Sequence, residues 1–366
     1  TCGSGHFLLG AFDRLFEHVR RDKPGLGARE SAAEALDKVY GADINPFAVA
    51  IAKFRLTLSF LDKSGHRKIS EAPKLPLHVA VADSLLYNPQ HEQGALFHQE
   101  GVAAAAWEKR AFDFEDEAEA RAVLHREFAS VVGNPPYITV KDKALRDRYR
   151  ELYPTAVKKY ALSVPFAERF FQLARDGGLV GQITSDSFMK REFGAKLVES
   201  LFPGLNLFLI VNLSRAHIPG HGTPTILMFG TNEAPQSQDV HVVLAKEGEP
   251  STPTVPAEGK VWRSVALHWG EVGFENDFVS IAKMPRAELS EHPWSLEGGG
   301  ARDLMSHLVA TSSMLLKSQA HTIGPMAISG EDDIFFRPWG VWRRGGAEDD
   351  WVKPVGLGEG VRDWAI

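Results

Sequence analysis

The residues best suited to chemistry stand at 133–137, GNPPY, directly behind the apolar run FASVV. Two prolines in succession, Pro135 and Pro136, give up two backbone donors and stiffen the turn. The Asn134 carboxamide oxygen and a neighbouring proline carbonyl then make two rigid acceptors, suited to the two hydrogens of an exocyclic amine. Tyr137 adds a flat ring on which a base can stack. A stiff turn with a tyrosine packed over it is the plain structural alternative.

Three further features have ligand-binding character. Gly3-Ser4-Gly5 lets backbone approach a ligand at a helix N-terminus, and it equally describes a tight strand-to-helix turn. The next glycine after Gly5 is Gly10, so the dinucleotide spacing G-x-G-x-x-G is absent and a nicotinamide enzyme is disfavoured. Asp43 closes an apolar run where a carboxylate can accept from a ribose diol, and Asp83 closes the next one. Each also reads as a turn or helix-capping residue.

The elements that must position these residues follow from periodicity. Phe7, Leu8, Phe12, Leu15, Phe16 and Val19 recur at helical spacing behind the glycines. A strand ends at Asp43, Asn45 caps a helix and Pro46 opens it. LPLHVAVADSLL repeats the strand pattern, the polar insert 90–127 reads as helical, and FASVVG is a third strand. Phe166, Phe170, Leu173 and Ala174 share a helix face closed by Gly177; LVGQIT is a strand and FGAKLVESLF a helix. NLFLIVNLS and TPTILMFGTN flank the turn-rich RAHIPGHG and are expected to pair as a hairpin. This alternation predicts an α/β open sheet with an antiparallel edge hairpin, whose strand ends gather all four features.

The totals set bounds. With 366 residues, 44% hydrophobic and 24% charged, the chain can bury a large core and hold more than one domain. The segment 247–260 is rich in Pro, Glu and Thr and reads as a linker. It separates a catalytic domain at 1–246 from the start of a second domain at 261–366, where six of the eight Trp lie after residue 265. GGG at 298–300 precedes a helix, DLMSHLVATSSMLLKS. The chain opens without Met and without a strand ahead of its glycines, and is expected to be part of a longer protein. No long uncharged apolar stretch or signal-peptide pattern is present, so no membrane is expected and the chain reads as cytoplasmic. One cysteine, Cys2, excludes an internal disulfide and a Cys-based zinc cluster. No P-loop signature and no nuclease cluster is found.

The ordered motifs TCGSGHFL, VYGADINPFAVAIAKFRL, VADSLL, VVGNPPYI, GGLVGQITSDSFM and LSRAHIPGHGTPTILMF resemble those of S-adenosylmethionine-dependent DNA adenine-N6 methyltransferases. The likeness covers about residues 1–235 and is to the methyltransferase component of phage growth limitation, or type 2 BREX, defence systems. Single-chain restriction-modification enzymes are more distant kin. It implies a Rossmann-like methyltransferase sheet, its first strand missing, with an incomplete C-terminal domain for DNA recognition or spacing. It further implies that Thr1, Gly3 and Gly5 line the methionine part of S-adenosyl-L-methionine, Asp43 the ribose, and Asp83 with its neighbours the adenine moiety. Asn134 and Pro135 would hold the target N6, Pro136 would stiffen the turn, and Tyr137 would stack on an extruded adenine. Relatives often place an aromatic against the second face of the base; Ile218 matches that position here, leaving His217 or His221 to take its part. No metal is implied.

Double-stranded DNA is the expected partner, with other phage-defence proteins. Residues 138–160 hold seven basic residues (Lys141, Lys143, Arg146, Arg148, Arg150, Lys158, Lys159) against three acids, a local +4 in a chain of net charge −6. Placed behind NPPY, Lys141, Lys143, Arg146 and Arg148 suit phosphates beside the flipped base, or simply form a solvated helix face. Cytosine-C5 methylation needs a nucleophilic Cys, which the glycine-loop Cys2 does not supply; N4-cytosine stays open. Two further alternatives keep the sequence features: methylation of RNA or a protein amide, and a non-catalytic DNA-binding subunit.

Overall fold

Two residues set the first crossover. In this computed structural model, which describes residues 1–66, 68, 73–89, 117–220, 222–298, 300–314, 337–346, 348, 350 and 352, helices α1 (His6–Asp22) and α2 (Ala28–Leu36) precede strand β1 (Tyr40–Asp43). Helix α3 (Pro46–Ser64) follows: Asn45 accepts from the Phe47 and Ala48 amides at 3.0 and 3.3 Å, and Pro46 opens the helix where its missing N–H costs nothing. The chain returns in β2 (His78–Val81), parallel to β1 with Tyr40 opposite His78. Phe12, Phe16, Leu36, Leu56 and Phe60 form the core of the three helices, each worth roughly 2 kcal/mol of burial. Phe7, expected on that face, turns outward and is 42% exposed.

Of the polar insert, the structure describes its end as α4 (Glu117–Leu124), while 90–116 lie outside the described residues. Then come β3 (Phe128–Gly133), α5 (Lys143–Leu152), α6 (Ser163–Leu173) and β4 (Ala174–Ser185). Helix α6 is buried on nearly every side. It ends earlier than the sequence suggests: Ala174 already belongs to β4, and Gly177, at φ 66°, makes a kink in that strand rather than a helix cap. FGAKLVESLF forms short 3-10 and π turns at Glu192–Gly194, Leu197–Leu201 and Phe202–Gly204 in place of one α-helix.

Beyond these lie β5 (Asn206–Asn212), β6 (Thr225–Thr231), β7 (Asp239–Ala245), α7 (Lys260–His268), β8 (Val279–Pro285) and α8 (Ala301–Thr311). β5 and β6 pair as the expected antiparallel hairpin, and β6 inserts between β4 and β5. The six-stranded order is β3-β4-β6-β5-β7-β8, so the sheet continues past the hairpin, with β6 and β8 antiparallel to the rest. β1 and β2 form a separate two-stranded sheet. Among the described residues, β1 pairs only with β2 and β3 only with β4, which leaves one edge of each without a strand partner. No described helix is long and apolar enough to cross a membrane.

The structure divides later than the 247–260 segment. Because β8 bonds to β7, residues 261–304 join the first compact unit, Thr1–Leu304. The second unit, Met305–Ile366, contains the described short helix α9 (Trp339–Arg344). Within the first unit, Trp294, 3% exposed, anchors the residues past 260 by stacking at 5.5 Å on Phe202 and edge-on at 5.6 Å to Phe188. Its indole N–H donates to Leu289 O at 2.9 Å. Trp294→Ala is expected to cost about 3–5 kcal/mol, read as a lower urea midpoint for unfolding of the first unit; an unchanged midpoint would show that residues past 260 are not integral to it.

Candidate active site

The glycine loop is built onto the end of β1. The backbone nitrogens of Thr1 and Cys2 both donate to Ala42 O, at 2.6 and 3.0 Å. Gly3 N–H then donates to Asp43 Oδ2 at 2.9 Å, while Asp43 Oδ1 accepts from Asn45 N at 3.0 Å. One carboxylate thus joins loop, strand and the start of α3. Gly3 and Gly5 sit at φ 54° and 87°, in the left-handed region that favours glycine. A Cβ on Gly5 would come within 3.0 Å of the Ala52 Cβ, so α1 and α3 approach as closely as they do only over a glycine. A Cβ on Gly3 would meet nothing within 4 Å.

This fits the cofactor that the sequence implies. There is open space beside a left-handed glycine, at the start of a helix, next to a carboxylate whose oxygens each retain a lone pair.

The NPPY turn stands against the same loop. A Cβ on Gly133 would lie 3.7 Å from Thr1 Oγ1 and 2.8 Å from Phe170 Cζ. Pro135 is buried and Asn134 exposed, so the stiff part of the turn is packed and its carboxamide faces outward. The Tyr137 hydroxyl donates to Asn134 Oδ1 at 2.5 Å. Burial pushes the Tyr137 phenol up to about 12. Burial likewise pushes the Cys2 thiol up to about 11, the opposite of an activated nucleophile.

Asp83 sits beside Asp43, since Ala82 N donates to Asp43 O at 3.0 Å, but its carboxylate points inward. Its Oδ1 accepts from Leu85 N at 3.0 Å and its Oδ2 from the Tyr149 hydroxyl. Burial raises the Asp83 carboxyl, and the Tyr149 and Leu85 hydrogen bonds oppose that rise. The structure therefore gives Asp83 a scaffold's surroundings rather than those of a direct ligand.

The groups that hold this region, Tyr149, Tyr153 and Arg169, belong to none of the sequence motifs. Leu145, Tyr149 and Leu152 do recur at i, i+4, i+7, which marks the inner face of α5. Arg169 left no such trace.

The basic segment is only partly free for a ligand. Arg148 pairs with Glu151 at 2.9 Å, Arg150 with Asp147 at 2.6 Å, and Lys158 with Glu192. Arg146 is half-buried and reaches Val140 O at 3.5 Å. Lys141 and Lys143 are exposed and make no ion pair among the described residues. His217 and Ile218, both half-buried, lie in the β5–β6 loop, at the end of the six-stranded sheet where β3 runs into NPPY. His221 lies outside the described residues.

With this geometry in place, known proteins give a consistent picture. Residues 37–217 match the family described as Eco57I restriction-modification methylase. The full chain is 43% identical over 382 residues to the adenine-specific methyltransferase PglX of Streptomyces coelicolor, and spans 31% of that protein. It is 27% identical over 257 residues to the type II restriction enzyme and methyltransferase RM.Eco57I of Escherichia coli, covering 64% of this chain and 24% of the relative. A solved structure from a type I R-M system superposes with a TM-score of 0.50 at 14% identity, over 94% of this chain and 58% of that one, a likeness of fold alone.

The Tyr137 phenol offers a direct check. A phenol raised from 10 to about 12 stabilises the fold fully below pH 10 and loses that contribution as pH rises toward 12. Ultraviolet titration is expected to show a tyrosinate step near pH 12, shared with Tyr160, whose amplitude Tyr137→Phe lowers by about one tyrosine; loss of amplitude near pH 10 instead would contradict the burial of Tyr137.

Proposed function

Because this chain is a homologue of PglX along its whole length and carries an Eco57I-type methylase region, we propose that it is the catalytic part of a site-specific adenine-N6 DNA methyltransferase. It uses S-adenosyl-L-methionine and works in the cytoplasm in bacterial phage defence, with double-stranded DNA and other defence proteins as partners. The observation that carries this reading is the convergence of the glycine loop, Asp43 and NPPY at the ends of β1 and β3.

The bound cofactor supplies an electrophilic methyl group. Gly3, Gly5 and Thr1 form the cradle for its amino-acid end, and Asp43 accepts from its ribose. The loop that starts at Asp83 supports the adenine moiety through backbone rather than through the carboxylate, which is buried and turned toward Tyr149.

Asn134 Oδ1 and the Pro135 carbonyl accept the two N6 hydrogens and so fix the direction of the nitrogen lone pair. In this structure Asn134 Oδ1 is taken by the Tyr137 hydroxyl. That oxygen keeps a second lone pair for the amine, and the Tyr137 ring beside it is the surface on which the extruded base stacks. Lys141 and Lys143 carry the phosphate contacts, with Arg146 and Arg148 contributing once their internal bonds exchange. His217 or His221 serves the second face of the base.

Asn134→Ala in the full-length protein is expected to lower methyl transfer about 100-fold or more, the usual scale for losing one preorganised hydrogen-bonding group. Long-read sequencing of DNA treated with each protein is the measurement. Undiminished N6-methyladenine in the variant would remove NPPY from the chemistry, and a wild type that methylates RNA or protein amides instead would move the reading to those substrates.

A further inference from the structure

The loop at 83–88 has no sheet or helix of its own and is shaped by side chains that arrive from after NPPY. Tyr153 donates to Leu85 O at 2.8 Å, and Arg169 donates to Ser84 O at 3.1 Å and Tyr87 O at 2.5 Å. Asn88 donates to Gln172 at 2.8 Å. These four contacts all end on neutral groups.

Tyr149 differs because its hydroxyl meets the Asp83 carboxylate, at the point where β2 turns into the loop. Both partners are buried, at 3% and 6% exposure. Burial and the neighbouring Asp83 charge raise the Tyr149 phenol, so it stays protonated and is the donor of the pair. Of these contacts it is the one that ends on a carboxylate, and a hydrogen bond to a carboxylate away from water is short and directional. It also ties the loop to α5, whose outer face carries Lys143 and Arg148.

We propose that Tyr149 is a positioning residue for the cofactor: acting through Asp83, its hydroxyl fixes loop 83–88 against α5 in the shape that receives the adenine moiety. This rests on the methyltransferase reading. Tyr149 itself touches no reacting atom. Its effect falls on cofactor binding and leaves the chemical step alone.

The test compares Tyr149→Phe with Tyr160→Phe in the full-length protein. Tyr160 is as deeply buried and its hydroxyl donates to Arg146 O at 2.7 Å, so its loss removes a bond from the same core without touching the loop. Tyr149→Phe is expected to raise KM for S-adenosylmethionine about 10-fold with kcat within about twofold, the size of one charge-assisted hydrogen bond. Tyr160→Phe is expected to leave that KM within about twofold. On an Asp83→Asn background, Tyr149→Phe is expected to add less than about twofold, because both changes cut the same bond.

Hydrogen exchange provides a readout that needs no catalysis: the amides of Leu85, Leu86 and Tyr87 should exchange about 10-fold faster in Tyr149→Phe and unchanged in Tyr160→Phe. Equal exchange in the two variants, or a full Tyr149→Phe effect on top of Asp83→Asn, overturns the proposal. A wild type without methyl transfer whose loop still loosens in Tyr149→Phe would sink the enzymatic reading and leave the positioning role standing.

Discussion

Arg169 is the constraint on which the two sheets depend. It is 1% exposed, and among the described residues no carboxylate pairs with it. Its donors instead reach Ser84 O, Tyr87 O and Leu124 O, three backbone carbonyls from the loop after β2 and the end of α4. A buried guanidinium is tolerated only where such acceptors are fixed in place. The side chain stands on α6, which packs beneath the six-stranded sheet, and its acceptors belong to the two-stranded side. With Tyr149, Tyr153 and Gln172, this cation links strands that share no hydrogen-bonded ladder among the described residues.

That joint explains why the two strand systems can present their ends to one place. The Asp43 carboxylate gathers Gly3 and Asn45 on one side, and the proline-stiffened NPPY turn stands on the other with Thr1 between. Helix α5 belongs to both concerns at once. Its inner face carries Tyr149 and Leu152 into the core, and its outer face carries basic side chains. Much of that positive charge is spent on neighbouring acids, so the local surplus seen in the sequence overstates what is open to a phosphate.

The parts of the site that depend on local chemistry were legible in the sequence. Asn45 and Pro46 announce α3, the glycines announce left-handed turns, and the prolines announce a stiff exit from β3, because each acts on its own backbone. What depends on distant partners was not. The sequence marks Asp83 as a strand-end carboxylate, yet only tertiary contact with Tyr149, 66 positions later, turns it inward. Gly177 reads as a helix cap because Gly commonly ends helices, but pairing of Phe128 in β3 with Ala174 extends β4 back past it. The Pro-rich 247–260 segment reads as a boundary, and the pairing of β8 with β7 carries the first unit past it.

The outer edge of β3 has a consequence for handling. Among the described residues it meets no other strand, whereas on the outer edge of β1 Ala42 O already accepts from Thr1 and Cys2 N, and an edge of that kind is a template for another stretch of backbone. Contacts made there would be main-chain bonds, so surface substitutions chosen to improve solubility would scarcely touch them.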